Sequence, residues 1–178
     1  MRLNPLLEEF GTYPFVRLDE AKAQATARGL DLIDLGQGEP REETPEFIRS
    51  ALRDAIAPLA AYPRAVGLPE LREAIAAWVE RRYGRVLDPA TEIVPTLGSK
   101  EAIFHLAQSV DGTTVATTTP GYPVPERGAR YAGRDVLTLP LRRELGWLPD
   151  LDALDRATLD RLALLWINSP NNPTAAVA

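Results

Sequence analysis

From about residue 92 onward, short apolar runs alternate with helical stretches, and this alternation limits the fold more than any other feature of the chain. The pattern predicts strands over residues 93–97, 114–118, 136–139 and 162–167. Between them it predicts helices over 99–110 and 123–132 and a more polar helical stretch over 150–161. Strands separated by helices are expected to run parallel, in a sheet covered on both faces. Ligands in such open sheets bind at the carboxyl ends of the strands. Three unusual loops fall at those ends: Gly98, then Pro120-Gly121-Tyr122, then Asn168-Ser169-Pro170-Asn171-Asn172-Pro173.

The first part of the chain reads differently. Residues 1–17 form an irregular arm bearing Phe10, Tyr13 and Phe15, and 18–28 a helix ending at Gly29. Leu32, Ile33 and Leu35 make a short strand, followed by the turn Gly36-Gln37-Gly38-Glu39-Pro40. Thr44 is expected to cap a helix with Pro45 at its first position and Ile48, Leu52 and Ile56 on its apolar face. Pro69 opens the next helix, with Leu71, Ile75, Trp78 and Val79 inward, and Gly84 closes it. There is no internal repeat, low-complexity tract or flexible linker. The end at Ala178, just after a strand and a turn-rich loop, reads as a truncation, since a helix is expected to follow.

Composition removes several function classes. With 178 residues, 45% hydrophobic and 25% charged, the chain has an ordinary globular balance. The net charge of −5, with both signs interspersed, argues against a nucleic-acid or anionic-membrane partner. The lack of cysteine excludes disulfides and thiolate metal sites, and one histidine, His105, cannot build a multi-histidine centre. No apolar run approaches a membrane span, and Glu8 and Glu9 stand where a signal peptide would be apolar, so a cytoplasmic protein is expected. Only two of the 20 basic residues are lysines, Lys22 and Lys100.

The loops offer specific chemistry. Thr96-Leu97-Gly98-Ser99-Lys100 precedes a helix, whose free N–H groups and dipole attract phosphate; the same residues also read as a serine-capped helix. The spacing is not that of a P-loop. Tyr122 can lay its ring over a planar heteroaromatic, or simply pack in a turn. In the last loop, X-Pro bonds that can adopt the cis form would hold Asn172 as a side-chain donor. Gly36-Gln37-Gly38 could offer a backbone N–H to a small carboxylate or be an ordinary turn, and Tyr62 has no default role beyond packing.

Together these segments resemble the class I/II, fold-type-I aminotransferases, which depend on pyridoxal 5′-phosphate (PLP). The resemblance runs from about Leu3 to Ala178, through G-x-G-E-P (36–40), Y-x-x-x-x-G-x-P-E-L-R-E-A-I (62–75), L-G-S-K-E-A-I (97–103), P-G-Y-P (120–123) and S-P-N-N-P-T (169–174). Any one is weak; five in the family's order are specific. The look is nearest to the diaminopimelate and aspartate aminotransferase branch.

The resemblance implies an α/β fold: an N-terminal arm and helices, then part of a mainly parallel three-layer α/β/α large domain, truncated. Residues 1–45 would be the arm and the start of the small domain, and 46–178 the partial PLP-binding domain. By residue match, Gly98, Ser99 and Lys100 would hold the cofactor phosphate, and Tyr122 would stack on its ring. Asn172 would donate to the 3-oxygen, with Pro173 its cis partner. Tyr62 would reach the neighbouring subunit's phosphate in a homodimer, and Gly38 would contact the substrate carboxylate. Two residues depart from the pattern. Ala175 replaces the usual glycine and disfavours positive φ, and Pro125 replaces a second aromatic. The Schiff-base lysine and the partners of the ring nitrogen and substrate carboxylate lie further along in the family. Neither Lys22 nor Lys100 matches that lysine, so no catalytic residue is assigned and these residues alone are expected to be inactive. The same cradle also serves other PLP enzymes, such as C–S lyases, or a non-catalytic dimerisation or regulatory domain.

Overall fold

The computed structural model describes residues 1–36, 38–40, 42–59 and 61–178. Packing divides the chain into two units, Met1–Tyr62 and Pro63–Ala178.

The first unit holds helices α1 (Leu6–Phe10), α2 (Pro14–Ala27) and α3 (Glu46–Asp54). The stretch expected as an irregular arm therefore contains one helix and starts another. Pro14 accounts for the early start of α2, because proline is preset to helical φ and lacks an N–H that the first turn leaves unpaired anyway. Gly29 follows the end of α2 as expected, at φ +72°, and the Leu30 N–H donates to the Ala25 carbonyl at 3.1 Å. Thr44 does not cap α3. Pro45 sits at the cap with no side-chain hydrogen bond, and Glu46 in the first turn pairs with Arg49 at 2.8 Å and with Arg53. Ile48, Leu52 and Ile56 are exposed. Residues 32–35 are not a strand, because a strand needs a ladder partner and no described residue of this unit lies in a sheet. They instead line a groove with Leu18, Ala21 and Ala25 of α2, where Lys22 meets Asp34 at 2.8 Å. In the turn expected at 36–40, Gln37 lies outside the described residues.

The second unit opens with α4 (Pro69–Tyr83), bounded by Pro69 and by Gly84 in the left-handed conformation. Its covered stripe is narrower than expected: Ile75 and Val79 are half-buried, while Leu71 and Trp78 are exposed. There follow α5 (Ser99–Ser109), β1 (Thr114–Thr119), α6 (Val124–Tyr131), β2 (Asp135–Pro140), α7 (Arg156–Arg161) and β3 (Leu162–Leu165). The strands form one parallel sheet in the order β2-β1-β3, with Val115 opposite Val136 on one side and Leu164 on the other. The strand expected at 93–97 does not form. Ile93 is buried, but Val94 and Leu97 are exposed and no described strand pairs with them. The polar stretch 150–161 is helical only in α7, which starts where Asp155 accepts a hydrogen bond from the Thr158 N–H at 2.7 Å. No helix among the described residues is long and apolar enough to cross a membrane.

Buried residues lie on both faces of β1, Ala116 on one and the main apolar cluster on the other. Val115 is fully buried against Ala107 of α5 and Ala129 of α6, with Ala132, Val136, Leu164 and Trp166 around them. The two helices approach closely at Gly128, where a Cβ would lie 2.2 Å from the Phe104 carbonyl oxygen.

Arg134, between α6 and β2, closes the far end of α5. Its guanidinium donates to the carbonyls of Ala107 at 3.3 Å, Val110 at 2.8 Å and Gly112. Carbonyls at a helix C-terminus lack helical partners and favour a cation. Arg134→Ala should lower the unfolding free energy in a denaturant titration by about 2–3 kcal/mol, the scale of charge-assisted hydrogen bonds. Arg134→Lys should recover only part of this, because an ammonium cannot span the three acceptors as a planar fork does.

Candidate functional site

Parallel pairing brings the carboxyl ends of β1 and β3 to one end of the sheet. β1 leads into a cis Thr119-Pro120 bond and then Gly121. A Cβ on Gly121 would lie 2.3 Å from the Thr118 carbonyl oxygen, so only glycine allows the loop to fold back over the strand end. That fold-back carries Tyr122 to a cavity of about 170 Å³. Its other walls are Ile103 of α5, Thr117 and Thr118 of β1, Pro125 of α6, and Trp166, Ile167 and Asn168 beyond β3. The Trp166 Nε1 atom is buried without a hydrogen-bond partner.

The start of α5 faces the same region. Ile103 lines the cavity, and Ser99 lies one turn earlier on the same helix face. Gly98 is the N-cap at φ +81°, and no side chain caps the helix, so Ser99 is its first residue rather than a cap. The Glu101 carboxylate instead reaches back to the Leu97 N–H at 2.6 Å. Ser99 and Lys100 are exposed. The first-turn N–H groups of an 11-residue helix therefore stand beside a serine hydroxyl and an ammonium, donors suited to a phosphate.

The loop after β3 has cis bonds at Ser169-Pro170 and Asn172-Pro173. The Asn172 side chain is exposed, and its backbone N–H donates to Asn168 Oδ1 at 3.1 Å. Its neighbour Asn171 is buried and bonds to the Tyr122 loop through the Pro120 carbonyl at 3.2 Å. Ala175 has φ +59°, the conformation that its Cβ disfavours.

Of the residues singled out from sequence, the structure puts Tyr122 on the cavity wall and Gly98, Ser99 and Lys100 at the adjoining helix start. Asn172 lies in the loop that follows Asn168 but is not among the lining residues. Tyr62 is almost fully exposed and Gly38 is exposed, both in the first unit. Trp166, Asn168 and Asn171 escaped the sequence reading: Trp166 looks like any apolar strand residue, and nothing in N-S-P-N-N-P distinguishes a buried asparagine from an exposed one. Pro125, which stands where the resemblance places an aromatic, still forms part of the wall. Lys22 is ion-paired with Asp34 at 2.8 Å and Asp19 at 3.9 Å. The hydrogen bond to Asp34 above all raises its pKa, which favours the charged form, the opposite of what a nucleophilic amine requires. Among the described residues no group of acidic or histidine side chains could hold a metal ion.

A parallel sheet with an aromatic-walled cavity at the carboxyl end of its strands, beside a helix start, defines an α/β unit. Residues 30–178 match the family described as aminotransferase class I and II, and the chain belongs to that family. An LL-diaminopimelate aminotransferase of Nitratidesulfovibrio vulgaris is 45% identical over 170 residues, 93% of this chain and 44% of the relative. Among solved structures, the aspartate aminotransferase from Thermus thermophilus with maleate is 34% identical with a TM-score of 0.86, covering 99% of this chain and 47% of that one. The apo-BacF structure from Bacillus subtilis is 35% identical with a TM-score of 0.85, covering all of this chain and 47% of that one. The chain thus spans about half the length of the relatives it matches.

The positive φ at Ala175 is testable directly. Ala175→Gly should raise the unfolding free energy by about 0.5–1 kcal/mol, the left-handed strain removed less the entropy that glycine adds to the unfolded chain. A denaturant midpoint that stays put or falls would contradict the strain.

Proposed function

We propose that these residues form the cofactor cradle of a PLP-dependent aminotransferase, which moves an amino group between an amino acid and a 2-oxo acid. One observation carries the reading: an aromatic-walled cavity one helical turn from a free helix N-terminus, which suits a planar ring joined to a phosphate. The buried, unpartnered Trp166 Nε1 beside it marks a polar group that the chain itself leaves unmatched.

In this reading the N–H groups following Gly98, the Ser99 hydroxyl and the Lys100 ammonium bind the phosphate, and Tyr122 covers one face of the ring. Asn172 donates a hydrogen bond to the ring's 3-oxygen. Tyr62 serves the phosphate of a second copy in a homodimer, and the Gly38 N–H orients the substrate carboxylate. Bound PLP supplies the electron sink for amino transfer. The chain's own residues hold it, orient it and cover it from water on the Tyr122 side. Residues 1–45 are assigned to the arm and the start of a small domain, and 46–178 to part of the large domain. The LL-diaminopimelate aminotransferases among the relatives favour a role in amino-acid biosynthesis, with an amino donor such as glutamate and LL-diaminopimelate as the amino acid formed; the cytoplasm is the compartment assigned from the sequence.

The test is a PLP titration of the chain followed by quenching of tryptophan fluorescence, with Trp166→Phe as the control that assigns the signal. Expected is saturable, reversible quenching that inorganic phosphate competes away. Tyr122→Ala should weaken it by up to about tenfold, the worth of an aromatic stacking contact. Lys100→Ala should weaken both PLP and phosphate. The 178 residues by themselves should not transaminate LL-diaminopimelate with 2-oxoglutarate, because neither Lys22 nor Lys100 is proposed as a covalent partner of the cofactor. A wild-type chain that leaves PLP unbound sinks the cradle, and turnover by these residues sinks the lysine argument.

A further inference from the structure

We propose that Asn171 is a positioning residue that clamps the Tyr122 loop to the Asn172 loop and so fixes the spacing of two arms of the cofactor site. Its consequence for the cofactor rests on the reading above; the clamp itself rests on hydrogen-bond geometry alone.

Asn171 is only 6% exposed. Its Nδ2 donates to the Pro120 carbonyl at 3.2 Å, across 51 residues of chain, and to Thr174 Oγ1 at 2.9 Å. The amide orientation follows from the partners: exchanging N and O would set two acceptors face to face at Pro120. Backbone bonds already close the residue's own loop, from the Asn171 N–H to the Ala176 carbonyl at 2.8 Å and from the Ala175 N–H to the Asn171 carbonyl at 2.7 Å. The bond to Pro120 adds nothing to that closure, and it joins this loop to the one after β1.

The partner sits at a sensitive place. Pro120 is the residue before Gly121, whose tight approach to Thr118 fixes the fold-back of the loop, and Tyr122 comes next. On the other side Asn172 follows Asn171 directly, with its backbone N–H tied to Asn168, itself on the cavity wall. One amide therefore sets where the ring-facing tyrosine stands relative to the exposed asparagine. Asn171 Oδ1 is buried without a partner. A buried acceptor left unmatched lowers stability, so an apolar side chain would suit packing better and the donor is what the position requires.

The experiment is ¹⁵N relaxation on the 178-residue chain. Gly121 and Tyr122 report on the loop, since Pro120 and Pro123 have no N–H. Asn171→Leu removes the donor at similar volume, and Thr174→Val leaves the Pro120 bond in place while removing Thr174 Oγ1 as acceptor for Asn171 and for the Ala176 N–H. The two amides should show order parameters of about 0.85 in the wild type and in Thr174→Val, falling below about 0.6 in Asn171→Leu. Amides of β2 should stay unchanged throughout, as the check on folding. If Asn171→Leu disturbs β2, Asn171→Asp, isosteric but without a donor when ionised, is read the same way. Separately, Asn171→Leu should weaken PLP about tenfold while leaving inorganic phosphate binding intact. A loop that stays rigid in the Asn171 variants, or one that loosens equally in Thr174→Val, overturns the clamp. A wild type that leaves PLP unbound overturns the cofactor reading instead, and the order parameters still decide the clamp.

Discussion

Everything at the functional end of this molecule depends on β1 being paired in parallel on both sides. Val115 at its centre meets Val136 and Leu164 across the sheet and is sealed by Ala107 and Ala129 from the helices above. Parallel pairing leaves no freedom in where the strands end: the loops after β1, β2 and β3 must all emerge at one side. The small residues on α5 and α6 bring those helices close to the sheet, and that closeness sets Ile103 and Pro125 beside Thr117 and Tyr122 around the cavity. A bulkier residue at Gly128 would lift α6 from α5 and disturb that wall, although Gly128 lies outside it.

The parallel sheet was legible because its three strands are short apolar or β-branched runs separated by helical stretches, although the start of α7 was expected six residues too early. Pro69, Gly84 and Gly29 mark helix ends through backbone chemistry that acts locally, so their reading holds regardless of tertiary context. The two expected strands that are missing, at 32–35 and 93–97, have the right composition. A strand, however, is a relation between segments, and no described strand pairs with either of them. Thr44 failed as a cap for a related reason. Cap preference describes a side chain free to turn back, whereas Pro45 itself takes the cap position and Glu46 spends its carboxylate on Arg49 and Arg53.

The site was legible where chemistry follows from backbone position. A glycine followed by a helix start yields free N–H groups whatever surrounds it, so Gly98, Ser99 and Lys100 could be read directly. A tyrosine after Pro-Gly at a strand end could be placed at the carboxyl end of the sheet, where the cavity lies, because the strand's direction fixes which end it occupies. Side chains whose meaning depends on burial could not. Asn171 and Asn172 are adjacent and identical, yet one is buried across to Pro120 and the other is exposed, a difference set by a loop 51 residues away. Lys22 is similar: its ion pair with Asp34 comes from a segment that the sequence presents as a strand.

The distribution of unfavourable features bears on what this end of the sheet is for. Among the described residues three buried side-chain polar atoms lack partners, and two of them, Trp166 Nε1 and Asn171 Oδ1, lie at or just beyond the end of β3. Among the described residues the two non-glycine residues with positive φ, Trp147 and Ala175, lie in the segments that follow β2 and β3. Each such feature costs on the order of 1–3 kcal/mol. The buried centre of the core, Ala107, Val115 and Ala129, is by contrast apolar and closely packed. Selection for stability alone would be expected to remove unmatched donors and strained residues wherever they occur, or to leave them scattered. Trp166 lines the cavity, and Asn171 and Ala175 lie in the loop that carries Asn172, while the packed Val115 face of β1 supplies stability that lets such features persist.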